Sequence, residues 1–308
     1  MGNGIVVGDR LSRLGNQRDW VWRGWQVRYT FLRPTSPGRS DHPPLLFLHG
    51  FGSALTQWHE NLLPLSQSHT VYALDLVGFG ASEKAAAPYK VGFWVEQVYE
   101  FWRTFIQRPI VLVGHSLGAL VALTAAAMHP DMVERLVLLT LPAARQELLP
   151  QRIQAVVGEV ESLFATPLLI TPLLYLIRRP RVIRAVLRSI YINQERVTEE
   201  LVQNFLLPGY DRGAANVLYR LTKARTQNDF SFRTKDLLSQ VQIPILLLWG
   251  KDDRVIPLDW GQQLPPLNPK IKLVIIPNAG HCPYDECADC VNGEIQSWLG
   301  LADQQFNI

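Results

Sequence analysis

Cysteine is scarce in this 308-residue chain: Cys282, Cys287 and Cys290 are the only three. They crowd one short stretch, so they cannot build a disulfide framework, and such usage fits a reducing compartment. Their spacing is that of an iron–sulfur loop, but the fourth ligand is lacking, so no cluster, metal or other cofactor is expected. Charge is also scarce, at 19% Asp, Glu, Lys and Arg. A formal net charge of +3 is too small to steer the chain to nucleic acid. Long apolar runs are missing. The longest, residues 163–177, holds 15 residues and is interrupted by Pro167 and Pro172, whereas a membrane span needs about 20. Residues 1–19 contain no apolar h-region, and Val6 stands where myristoylation requires Ser or Thr, so neither a secretory signal nor a lipid anchor is expected. These absences point to a cytoplasmic location with no transmembrane segment.

Apolar material is plentiful nonetheless. Hydrophobic residues make up 47%, with nine Trp and 21 Pro, and the mean hydropathy is +0.03. This composition excludes disorder. Residues 20–32 are aromatic and β-branched around Arg23-Gly24, which predicts a hairpin. Short apolar runs follow at 45–48, 70–74, 110–113 and 135–139, separated by helical patterns, notably 93–106 and 117–128. The rhythm stops at Pro142 and resumes with a strand at 243–249, a helix near 259–264, a strand at 272–276 and a last helix near 285–299. Apolar strands alternating with helices predict an α/β fold: a mostly parallel sheet with helices on both faces. The organisation expected is an extension at 1–19, a discontinuous α/β domain at 20–141 and 237–300, and a helical insertion at 142–236.

The residues that carry chemistry sit at strand ends. Gly114-His115-Ser116-Leu117-Gly118 follows an apolar strand and opens a helix, the context a G-x-S-x-G nucleophile elbow requires. Ser116 is the candidate nucleophile. Gly114 and Gly118 leave room for strand and helix to approach, and the Leu117 amide, at a helix N-terminus, is a candidate oxyanion donor. His115 reads as scaffold, its side chain directed away from that of Ser116. The candidate base is His281, in the loop between the last strand and the last helix; His42, His49, His59, His69 and His129 fit worse by position. The acid is expected just after the preceding strand, where Asp252 and Asp253 are neighbours. The pattern favours Asp253, with Asp252 as a turn residue. His49-Gly50-Phe51-Gly52 offers the second oxyanion donor, the Phe51 amide, while the Phe51 ring is expected to line the pocket. Asp75-x-x-Gly78-x-Gly80-x-Ser82 reads as a loop-shaping segment, since no glycine completes a dinucleotide fingerprint.

Together these residues resemble the α/β-hydrolase superfamily over residues 20–299. Ser116 at the elbow, rather than Asp, argues against a dehalogenase or epoxide hydrolase. Trp22-Arg23-Gly24 is similar to the opening of the pheophytinase and chlorophyll dephytylase family. So are Val197-Thr198-Glu199-Glu200-Leu201-Val202, Leu207-Pro208-Gly209, Gly213-Ala214 and the stretch from Pro277 to Glu286. The resemblance implies a cap made by the insertion and hydrolysis of the phytyl ester of chlorophyll or pheophytin, a hydrophobic small-molecule substrate. No transit peptide is visible, so the chain looks more like a cyanobacterial member than a plant precursor. The elbow residues His115, Ser116 and Leu117 depart from the pheophytinase pattern, which leaves magnesium and metal-free pigment open. A lipase or esterase on other apolar acyl esters, and a pigment carrier with a vestigial triad, are the alternatives.

The insertion carries the charge asymmetry. Residues 142–236 contain fourteen Lys and Arg against nine Asp and Glu. No acidic residue occurs at 162–194, where Arg178, Arg179, Arg181, Arg184 and Arg188 cluster. An aliphatic run beside such a cluster fits three expectations, which do not exclude one another. Leu163, Leu169, Leu173 and Ile177 line the substrate site under the cap, the cap makes peripheral contact with an anionic membrane such as the thylakoid, or the cap packs on the core and leaves its basic face in water.

Overall fold

Continuous apolar runs become strands buried on both faces. The computed structural model describes residues 13–34, 42–148 and 166–300. Among these residues are eight strands: β1 Arg18–Trp22, β2 Trp25–Leu32, β3 Leu45–Leu48, β4 Val71–Leu74, β5 Ile110–His115, β6 Val133–Leu139, β7 Ile245–Gly250 and β8 Ile271–Ile276. They form one sheet in the order β1-β2-β4-β3-β5-β6-β7-β8. The pairs β1/β2 and β2/β4 are antiparallel, and all the others are parallel. The hairpin turns at Arg23 and Gly24, with φ of 52° and 87°, the positive pair that matches strand twist in a two-residue turn. Two carboxylates, Glu96 and Glu100, hold the Arg23 guanidinium, and Glu100 also accepts from the Trp22 indole.

Strand residues alternate between two core layers. Leu46, Leu48, Leu112, Leu136 and Leu247 face one layer with Trp94 and Trp249, while Leu45, Phe47, Val111, Val137 and Leu246 face the other with Trp58. The first layer is covered by α2 (Val91–Phe105) and α3 (Leu117–Met128), the second by α1 (Leu62–Ser66) and a C-terminal helix at Ala288–Trp298. The chain leaves the sheet after β6 and returns at β7. Between them lie α4 (Pro167–Ile177), α5 (Pro180–Ile190), α6 (Glu199–Leu206), α7 (Ala214–Arg225) and α8 (Thr234–Gln240). Prolines start α4 and α5, where the missing N–H costs nothing. Thr198 caps α6 by accepting from the Leu201 amide at 3.2 Å. α4 packs on α7 and α5 on α6.

β5 and α3 approach each other closely. A Cβ on Gly114 would stand 2.3 Å from the Gly118 carbonyl oxygen, and one on Gly118 would stand 2.3 Å from the Leu48 carbonyl oxygen. Both obstacles are backbone and cannot swing aside. Gly118→Ala is expected to destabilise the protein by about 1–3 kcal/mol or more. Gly293, in the last helix with open space around it, should respond oppositely, Gly293→Ala stabilising by about 0.5–1 kcal/mol. Urea unfolding midpoints of the two variants check this pair of opposite signs.

Candidate active site

β5 ends and α3 begins at a single residue, Ser116, whose φ of 51° and ψ of −114° lie outside the ordinary regions for an L residue. Such strain persists only where surroundings enforce it. Here the Ser116 amide donates to the Leu139 carbonyl at 3.0 Å, and the two glycines allow the sheet and helix to close around the turn. The result presents Ser116 to a cavity of about 770 Å³ at the C-terminal edge of the sheet.

His281 follows β8 and lines the same cavity. Its Nδ1 lies 2.9 Å from Oδ2 of Asp253, which follows β7. The other carboxylate oxygen of Asp253 accepts from the Val255 and Ile256 amides at 2.7 and 2.9 Å, so the carboxylate is fixed at both ends. A carboxylate against Nδ1 keeps the proton there and leaves Nε2 as the basic nitrogen. Asp252 is exposed and serves the turn, its amide donating to the Ala279 carbonyl at 3.0 Å.

Phe51 and Leu117 both border the cavity. Among the described residues neither amide donates to a protein acceptor. The loop carrying Phe51 is held from behind. His49 accepts from the Leu76 amide through Nε2 at 3.0 Å, so its Nδ1 carries the proton and donates to the Gly50 carbonyl at 2.7 Å. Burial pushes the His49 pKa down to about 4, which keeps that ring neutral. Gln57 accepts from the Gly50 amide at 3.1 Å. The Phe51 ring is half exposed, meets Phe79 edge to face and lies under the Arg225 guanidinium.

His115 is buried and turned to structural use. Its Nε2 donates to the His281 carbonyl at 2.8 Å, joining the elbow to the loop of the second histidine. Burial holds its pKa well below the usual imidazole value. A Cβ on Gly50 would stand 2.7 Å from His115 Nδ1, which explains the glycine.

Sequence reasoning did not find the wall of the cavity. Among the described residues its helical side is formed by Leu148, Leu187, Ile190, Phe205, Leu221 and Arg225. Leu169, Leu173 and Ile177, expected there, do not line it: α4 lies on α7 and turns Leu169 and Leu173 outward. Leu163 lies outside the described residues. An apolar run without polar positions carries no period to say which side faces in. Glu286 was also missed as a working residue. Its carboxylate accepts from the Gly280 amide at 2.8 Å and from the Ile192 and Asn193 amides at 2.6 and 3.0 Å. It thereby ties the His281 loop to the segment after α5. Nothing local in the sequence marks it, because its three partners come together only in the fold. Among the described residues no group of three or more His, Cys, Asp or Glu could hold a metal ion.

Asp75 pins the loops from below. One oxygen accepts from the Leu55 amide at 2.6 Å and the other from the Ala81 amide at 2.7 Å. Burial raises its pKa from 3.8 to about 6 despite those bonds. The folded state therefore binds this proton more tightly than the unfolded chain. Its contribution to stability is full below about pH 4 and is lost as pH rises through about 6. Asp75→Asn removes that titration, so its urea midpoint should vary less with pH over this window, while lying lower throughout because an amide nitrogen faces a backbone donor.

The family model for the alpha/beta hydrolase fold matches residues 43–287, and the chain belongs to that family. The chain is 26% identical to the dihydrolipoyllysine-residue acetyltransferase component of the acetoin cleaving system of Pseudomonas putida, over 89% of this chain and 68% of that protein. It is also 26% identical to the chloroplastic pheophytinase of Arabidopsis thaliana, over 84% of this chain and 61% of that protein. The chain thus spans less than two thirds of the pheophytinase. A solved membrane phospholipase A, described as a bacterial virulence factor, superposes with a TM-score of 0.73 at 24% identity, over 94% of this chain and 87% of that one. At that identity the likeness is one of fold.

Proposed function

We propose that this member of the α/β-hydrolase family is a serine carboxylester hydrolase and that its substrate is the phytyl ester of chlorophyll or pheophytin. The observation that carries the chemistry is the meeting of Ser116, at its strained turn, and the His281–Asp253 pair on one cavity. The walls of that cavity are mostly aliphatic and aromatic, and its volume is that of a site for a large apolar ligand. The likeness to a pheophytinase supports the pigment ester over other apolar acyl esters.

In this reading Ser116 Oγ attacks the ester carbonyl carbon as its proton passes to His281 Nε2. The Phe51 and Leu117 amides receive the charge that develops on the carbonyl oxygen. Asp253 holds the imidazole in orientation and balances the imidazolium. The tetrahedral centre collapses, the C–O bond to phytol breaks, and His281 returns the proton to the departing alkoxide. Water then gives a proton to His281 and attacks the acyl carbon. The chlorin acid leaves, and Ser116 recovers its proton. No step needs a metal or organic cofactor.

The test is incubation with chlorophyll a and with pheophytin a, followed by hexane partition. Wild-type protein should release phytol, so that the dephytylated pigment no longer enters hexane. Ser116→Ala should lower turnover by at least about a thousandfold while pigment binding stays nearly intact. Wild-type-like phytol release by that variant would sink the assignment. Turnover of p-nitrophenyl esters or triacylglycerol without phytol release would replace the pigment by another apolar acyl ester.

A further inference from the structure

α4 carries no charged residue, yet most of its circumference is bare. Leu168 is 87% exposed, Tyr175 58% and Leu176 49%. Leu169 and Leu173 join them, while Ile170 is buried. A monomeric protein rarely shows water so continuous an apolar face without a partner for it. The face continues onto the turn after α6, where Leu207 and Tyr210 are exposed and the Tyr210 hydroxyl donates to the Arg178 carbonyl at 3.0 Å.

The rim of this face is basic. The Arg178 guanidinium lies over the rings of both Tyr175 and Tyr210, 3.7 and 4.8 Å from their centres. Arg179, Arg181 and Arg188 are exposed on the turn into α5 and along α5. Among the described residues no carboxylate pairs with these three, whereas Arg184 is taken by Glu199.

We propose that the outward face of α4, with Arg179, Arg181 and Arg188, is a docking surface for a lipid bilayer with anionic headgroups. Leucines and a tyrosine without charge suit the acyl boundary, and guanidinium groups at their margin suit phosphate or sulfonate headgroups. A second copy of the chain would bring the same arginines against each other. Leu187 and Ile190 of α5 line the catalytic cavity while Arg181 and Arg188 of the same helix face outward. A bilayer held here lies next to the cavity's apolar wall. The surface stands apart from the ester reading, because its test involves no turnover.

The test is vesicle flotation, with light scattering of the free protein alongside. Wild-type protein should float with vesicles of equimolar phosphatidylcholine and phosphatidylglycerol, and less so as salt rises. Replacing Arg179, Arg181 and Arg188 by Gln should weaken that binding by roughly a hundredfold, at about 1 kcal/mol per basic residue. Leu168→Ser with Leu176→Ser should abolish it with an unchanged unfolding midpoint, since both side chains already face water. Absence of flotation, or flotation undiminished in both variants, overturns the proposal. So does a dimer in solution that the leucine variant returns to monomer, which would assign the face to a second copy.

Discussion

A strand that runs directly into a helix must turn its backbone hydrogen bonds from across the chain to along it, and the sheet of this protein is arranged around the place where that happens. At Ser116 the backbone sits at φ 51° and ψ −114°. Strain of order 1–3 kcal/mol is held there by close packing of β5 on α3 and of α3 on the end of β3. That same closeness brings the Phe51 loop against the elbow, because Gly50 approaches His115 and Gly118 approaches the Leu48 carbonyl. His115 in turn fixes the loop of His281. The close packing at the elbow therefore links the positions of the serine, the loop amides and the imidazole, each of which has its own hydrogen bonds besides.

Much of this arrangement is legible in the sequence, for a physical reason. A strand buried on both faces has to be apolar at every position, so Leu45–Leu48 and Ile245–Gly250 stand out without periodicity analysis. The glycines at 114, 118 and 280 mark places where a Cβ would meet backbone. Spacing alone separates Asp253 from Asp252 in the sequence, and the structure pairs Asp253 with His281 and leaves Asp252 in water.

The cavity wall was not legible. It is assembled from α5, α6 and α7 and the segment around Leu148, each of which gives one or two side chains. Which side chains those are depends on how the helices lean on one another, and no local pattern encodes that. The aliphatic run of α4 misled for the same reason. Its hydrophobicity marks it as an element that leaves water, but an uncharged helix has no polar face to set the direction. In the structure it turns away from the cavity. Glu286 was hidden differently. A carboxylate that accepts three backbone amides looks like any surface Glu until the fold brings Gly280 and the segment after α5 to it.

The account rests on Ser116 being activated by His281. A serine-directed fluorophosphonate probe followed by peptide mass spectrometry measures that activation without assuming a substrate. The account predicts a single adduct on Ser116 in the wild-type protein, and its loss or slowing by at least about a hundredfold in His281→Ala. An unlabelled Ser116, or labelling just as fast without His281, would contradict it.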